Sequence, residues 1–218
     1  MDAAAWDRRY AASEGVWGAE PNVWVAQELN GLAPGRALDL GAGEGRHAVW
    51  LAERGWQVTA VDFSAVALER GRAAAEALGV GGRIEWRVED ATCFAPEPAR
   101  LDLALAAYLQ LPAEGLRAAL ASAARGLRPG GRLLLVAHDA ANPGHGTGGP
   151  KDPAVLQSPG QVAAWLRDAG LEVASAETRP RPVPGSLRPA LDCVVLARAP
   201  LPPVREEALH SESIPPRV

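Results

Sequence analysis

This 218-residue chain has little of what several protein classes require. Its two cysteines, Cys93 and Cys193, are too few for a disulfide framework, so free thiols in a cytoplasmic protein are expected. No apolar run approaches the roughly 20 residues of a membrane span, and no positively charged apolar segment opens the chain. No membrane partner is expected. Basic runs are missing too: the net charge is -4, and Lys151 is the single lysine among 22 basic residues. Without a basic stripe the chain lacks the broad electrostatic footprint of polyanion binders. The expected partners are therefore a small-molecule substrate and no nucleic acid, with the chain a monomer or homodimer. The histidines, His47, His138, His145 and His210, have no metal-site spacing, and no metal is expected.

What is present is an apolar content of 48%, enough for one domain with a sizeable core. Its most informative stretch is Ala37-Leu38-Asp39-Leu40-Gly41-Ala42-Gly43-Glu44-Gly45-Arg46-His47. A short apolar run ends at three glycines, and from Gly45 the period becomes helical, with Ala48, Leu51 and Ala52 on one face. Alternate glycines let a ligand approach backbone above a helix N-terminus. The dinucleotide fingerprint is spaced Gly-x-Gly-x-x-Gly. Here Arg46 stands where its third glycine would fall, and Asp39 precedes the turn, which suits a cationic ligand better than a pyrophosphate.

Four further segments repeat the strand-then-polar pattern. Trp56 to Val61 ends in Asp62-Phe63-Ser64, with Asp62 placed 21 residues after Gly41, where a carboxylate can accept ribose hydroxyls. Arg83 to Val88 leads into Glu89-Asp90-Ala91. Leu101 to Ala106 runs into Ala107-Tyr108-Leu109-Gln110. Leu127-Arg128-Pro129-Gly130-Gly131 closes a helix before Arg132 to Val136. Helices are expected at about 45–54, 64–78, 113–127 and 159–169, the last opened by the capping-box spacing Ser158 to Gln161. Leu171 to Arg179 and Leu191 to Ala199 follow as an antiparallel pair.

The Asp-x-Gly-x-Gly-x-Gly turn with these four segments resembles the class I S-adenosylmethionine-dependent methyltransferases over about residues 36–138. The resemblance implies an α/β fold: a Rossmann-like, seven-stranded, mostly parallel sheet with one antiparallel strand near its end and helices on both faces. It implies S-adenosyl-L-methionine as cofactor, with Asp39, Gly41, Ala42, Gly43, Asp62, Phe63, Asp90, Ala91 and Ala107 around it and Asp90 on the adenine amino group. The expected organisation is an N-terminal helical lid over 1–35, the methyltransferase domain over 36–199 and a proline-rich tail over 200–218.

The lid, with Trp6, Arg9, Tyr10 and Trp17, resembles that of small-molecule enzymes related to tellurite-resistance and thiopurine methyltransferases. That implies Arg9 on the cofactor carboxylate and Tyr10 and Trp17 on its methionine portion. A long loop from Asp139 to Pro153 is a second expected lid. Tyr108 and His138 are the expected catalytic residues, the first orienting a nucleophile and the second a base. No Asn-Pro-Pro-Tyr tetrad follows the fourth strand, and no strong base motif is evident, which favours soft acceptors. The competing readings are a non-catalytic cofactor-binding domain or partner subunit, and a nicotinamide-dependent oxidoreductase, the latter opposed by Arg46 and Asp39.

Overall fold

A computed structural model of the chain describes residues 3–12, 18 and 20–202. Trp17, His210 and the tail from residue 203 onward lie outside the described residues. Seven strands form one sheet: β1 (Arg36–Leu40), β2 (Gln57–Asp62), β3 (Ile84–Val88), β4 (Leu101–Ala107), β5 (Leu127–His138), β6 (Glu172–Arg181) and β7 (Ala190–Arg198). Their order is β3-β2-β1-β4-β5-β7-β6, and only β7 runs against its neighbours. The seven-stranded, mostly parallel Rossmann-like sheet is therefore present.

Among the described residues seven α-helices accompany it: α1 (Ala3–Ala11), α2 (Val23–Leu29), α3 (Arg46–Glu53), α4 (Ala65–Ala77), α5 (Ala113–Gly126), α6 (Asn142–His145) and α7 (Pro159–Asp168). Two apolar layers sandwich the sheet. On one face Leu51, Trp56 and Leu68 of the α3–α4 side pack on Ala60, Leu103 and Leu105. On the other, Leu116 and Leu120 of α5 and Leu166 of α7 pack on Leu38, Leu133 and Val195. Parallel strands buried on both faces read as continuous apolar runs, which is why β4 and β5 were legible without alternation.

One local expectation fails. Ser158 is the N-cap of α7 but its side chain makes no capping hydrogen bond, so Pro159 at the first helical position carries that start alone. The loop after β5 is also not a free lid. Asn142 is buried; its Oδ1 accepts from Leu191 N at 2.7 Å and its Nδ2 donates to the Gly148 carbonyl at 2.9 Å. Asp139 accepts from Thr178 Oγ1 at 2.7 Å. These bonds fasten the loop to β6 and β7. No helix among the described residues is long and apolar enough to cross a membrane.

Candidate cofactor and acceptor site

The carboxyl ends of β1, β2, β3 and β4 meet at a cavity of about 740 Å³. Where parallel strands change winding direction their ends splay, and ligands bind in the crevice that opens. Its floor is the glycine turn. Gly41 and Ala42 donate to the Val61 carbonyl at 2.8 and 3.0 Å, which ties the turn to β2. Gly41, Gly43 and Gly45 all have left-handed backbones, with φ of 75°, 56° and 73°. A Cβ on Gly43 would lie 2.8 Å from the Tyr10 hydroxyl, so the turn is a cradle that a side chain would fill.

Asp62, at the end of β2, accepts from Gly43 N at 2.8 Å and from Ser64 N at 2.9 Å. It faces the cavity, and burial raises its pKa against those two amide bonds. Phe63, Asp90, Ala91 and Ala107 also reach the wall. Asp90 is more exposed; its Oδ1 accepts from Thr92 N and Oγ1 at 2.8 and 2.7 Å. Tyr10, buried and stacked on Trp6 at 5.7 Å between centroids, covers the turn from α1.

Other expected residues stand elsewhere. Asp39 lies beneath the turn, 1% exposed, with Oδ2 lacking a hydrogen-bond partner among the described residues. Arg9 is exposed and sits over the Trp6 ring at 5.1 Å, off the cavity wall. The cations that reach the wall are Arg46, which the sequence offers only as the residue displacing a glycine, and Arg70, which is paired with Glu44 at 3.1 Å. Tyr108 is on the wall, but its hydroxyl accepts from Asn22 Nδ2 at 2.9 Å and from Arg181 Nε at 3.2 Å. His138 lies behind it, rings tilted at 4.7 Å, and burial lowers its pKa. The Tyr108 hydroxyl is thus held by two donors while its ring packs on His138. Among the described residues no cluster of three or more His, Cys, Asp or Glu groups could hold a metal.

Two buried titrating groups beneath the site oppose each other. Burial raises Asp39 to about 7, against the pull of Arg46, and burial lowers His47 to about 3. The Asp39 contribution to stability is fully present below pH 3.8 and is lost as pH rises towards 7. The His47 contribution is present above pH 6.5 and is lost as pH falls towards 3. Asp39→Asn is therefore expected to be as stable as wild type near pH 4 and more stable above pH 7, because it removes a carboxylate forced to ionise in the interior. Urea denaturation of both proteins across this range checks it, and a stability difference independent of pH would overturn it.

A mostly parallel Rossmann-like sheet with a glycine turn after β1, an acidic residue after β2 and another after β3 is the arrangement that the sequence resemblance leads one to expect. More particularly, residues 37–131 match the family profile described as a methyltransferase domain. Over 162 residues the chain is 33% identical to the tRNA 5-carboxymethoxyuridine methyltransferase of Escherichia coli K12, covering 63% of this chain and 60% of that protein. It is 36% identical over 110 residues to ribosomal RNA small subunit methyltransferase C of Alcanivorax borkumensis, covering 48% of this chain and 33% of that one. The chain thus spans less than two thirds of either relative's length. Among solved structures, an S-adenosylmethionine-dependent methyltransferase of Methanosarcina mazei superposes with a TM-score of 0.66 at 19% identity, over 84% of this chain and 100% of that one.

These relatives overturn one expectation. The partners read from composition were a small-molecule substrate and no nucleic acid, whereas both curated relatives are named for RNA. Net charge sums over the whole surface, and an enzyme that contacts few phosphates needs no basic stripe.

Proposed function

We propose that this protein transfers a methyl group from S-adenosylmethionine to a nucleotide of RNA in the cytoplasm. The observation that carries the cofactor is the Asp62 carboxylate, facing the cavity while bonded to the glycine turn through Gly43 N. The relatives named for tRNA and ribosomal RNA support the acceptor. Bound in this cavity, S-adenosylmethionine supplies an activated methyl group on a positively charged sulfur.

The chain's residues do the rest by holding and excluding. Asp62 accepts the ribose hydroxyls, Asp90 and Ala91 meet the adenine edge, and Gly41 to Gly43 lie under the sulfur side with no Cβ in the way. Tyr10 closes the turn from above. Arg46 lies on the wall nearest Tyr108, where an anionic group of either ligand is favoured. Tyr108, Leu109 and Gln110 form the acceptor side, where a base turned out of its stack would enter. Alignment of a nucleophile with the methyl carbon in such an enclosed site contributes up to roughly 7 to 11 kcal/mol.

The test is label transfer from tritiated S-adenosylmethionine to separate pools of tRNA, ribosomal RNA and small thiols, phenols and amines. Label is expected in RNA and, after nuclease digestion, in one nucleotide. Label confined to the small molecules, or cofactor binding without transfer to any pool, would overturn the reading.

A further inference from the structure

A connected polar network stands behind the acceptor side of the cavity, built from groups far apart in the chain. Asp192 on β7 is fully buried. It accepts from Arg181 Nε on β6 at 2.7 Å and from Trp24 Nε1 on α2 at 3.0 Å, both on Oδ2. Arg181 Nε also reaches the Tyr108 hydroxyl at 3.2 Å. That hydroxyl accepts from Asn22 Nδ2, and Asn22 N in turn donates to His47 Nε2 at 3.2 Å on α3. Asn22 is at the same time the N-cap of α2, its Oδ1 accepting from Trp24 N at 2.9 Å. Beside the network Arg179 pairs with Glu28 of α2 at 2.6 Å. Tyr108 itself has a left-handed backbone, φ 57°, a conformation costly for a residue with a Cβ and kept only where surroundings enforce it.

We infer that Asp192 and Arg181 are positioning residues for methyl transfer, a latch by which the two terminal strands fix the Tyr108 ring and the start of α2 against the acceptor end of the cavity. The inference rests on the functional reading above for its kinetic consequence but not for its geometry. The ring that the latch holds is on the cavity wall; the latch residues are behind it. Among the described residues none of these hydrogen bonds reaches Asp62 or Asp90, which the functional reading places at the other end of the cofactor. Disturbing the latch should therefore misplace the acceptor and leave cofactor affinity alone.

Two experiments separate the possibilities. The first needs neither cofactor nor acceptor. The chain has only two tyrosines, so in a Tyr10→Phe background the absorbance at 295 nm reports Tyr108 alone. Burial and then Asp192 hold its ionisation above the ordinary range, while Arg181 opposes them; Arg46 from α3 also faces the ring, and His138 from β5 packs on it. Asp192→Asn removes the opposing charge and leaves the guanidinium, so Tyr108 should ionise at least about one pH unit lower. An unchanged titration would overturn the latch.

The second uses the RNA pools and S-adenosylhomocysteine as probes. Arg181→Met is expected to lower kcat about tenfold or more, with the S-adenosylhomocysteine Kd within about twofold of wild type and activity partly restored by Arg181→Lys. Cofactor affinity falling in step with kcat, or an unaltered kcat, would overturn it. Absence of transfer by the wild type would sink the functional reading instead, and the tyrosine titration would still decide the geometry.

Discussion

Asp62→Ala is expected to weaken S-adenosylhomocysteine binding by at least about a hundredfold, with the fold retained. Hydrogen bonds to a charged acceptor contribute about 1.5–3 kcal/mol each, and the substitution removes the acceptor proposed for both ribose hydroxyls. It also removes the bonds from Gly43 N and Ser64 N, at 2.8 and 2.9 Å, that set the turn against the start of α4. Both losses act on the same cavity. The unliganded protein loses less, because Val61 still holds the turn through Gly41 N and Ala42 N. Calorimetric titration with S-adenosylhomocysteine measures the effect, and circular dichroism confirms the fold. Affinity within a factor of about ten of wild type would refute the ribose assignment.

Gly45→Ala is expected to cost about 2–5 kcal/mol of stability, the sum of two independent strains. The left-handed backbone, φ 73°, costs a residue with a Cβ about 1–2 kcal/mol. Overpacking adds about 1–3 kcal/mol, because the new Cβ would overlap Trp86 Cη2. The indole cannot step aside easily: a Cβ on Gly71 of α4 would meet the same ring at 2.6 Å, so the ring is wedged between two glycines. Gly148→Ala is the control, left-handed at φ 66° with nothing within 4 Å of its Cβ. Urea denaturation should show the Gly45 variant losing clearly more than the control. Trp86→Phe in the same chain, which removes the ring atoms in the way, should recover part of the loss. Equal costs at the two glycines would show that the wedge contributes nothing.

Gly45 stands at a boundary between what the sequence makes legible and what it does not. Three glycines in a row of alternate positions announce a turn that needs positive φ, and that much is local chemistry. That Gly45 serves the packing of Trp86 while Gly43 makes room beneath Tyr10 depends on residues far off in the chain, from strand β3 and helix α1. The same holds for charge. Arg9 and Arg46 are equally eligible as sequence, but the first ends on the outer side of Trp6 and the second on the cavity wall. The resemblance implies Asp39 beside the cofactor; its side chain is buried beneath the turn, on a strand whose neighbouring residues alternate between faces. The loop after β5 has the length of a lid, and what its sequence does not announce is that Asn142 pins it to β7.

By itself the sequence determined the sheet, its winding and the turn. Apolar runs of strand length alternating with amphipathic helices admit few topologies, and the acidic residues ending β2 and β3 fall beside the glycines in any of them. The acceptor end was decided only by tertiary structure. Asn22, Tyr108, Arg181 and Asp192 are separated by up to 170 residues and share no local pattern, and they meet because β7 turns back between β5 and β6. A hydrogen bond is made where folding brings a donor to an acceptor, and no spacing along the chain records that meeting.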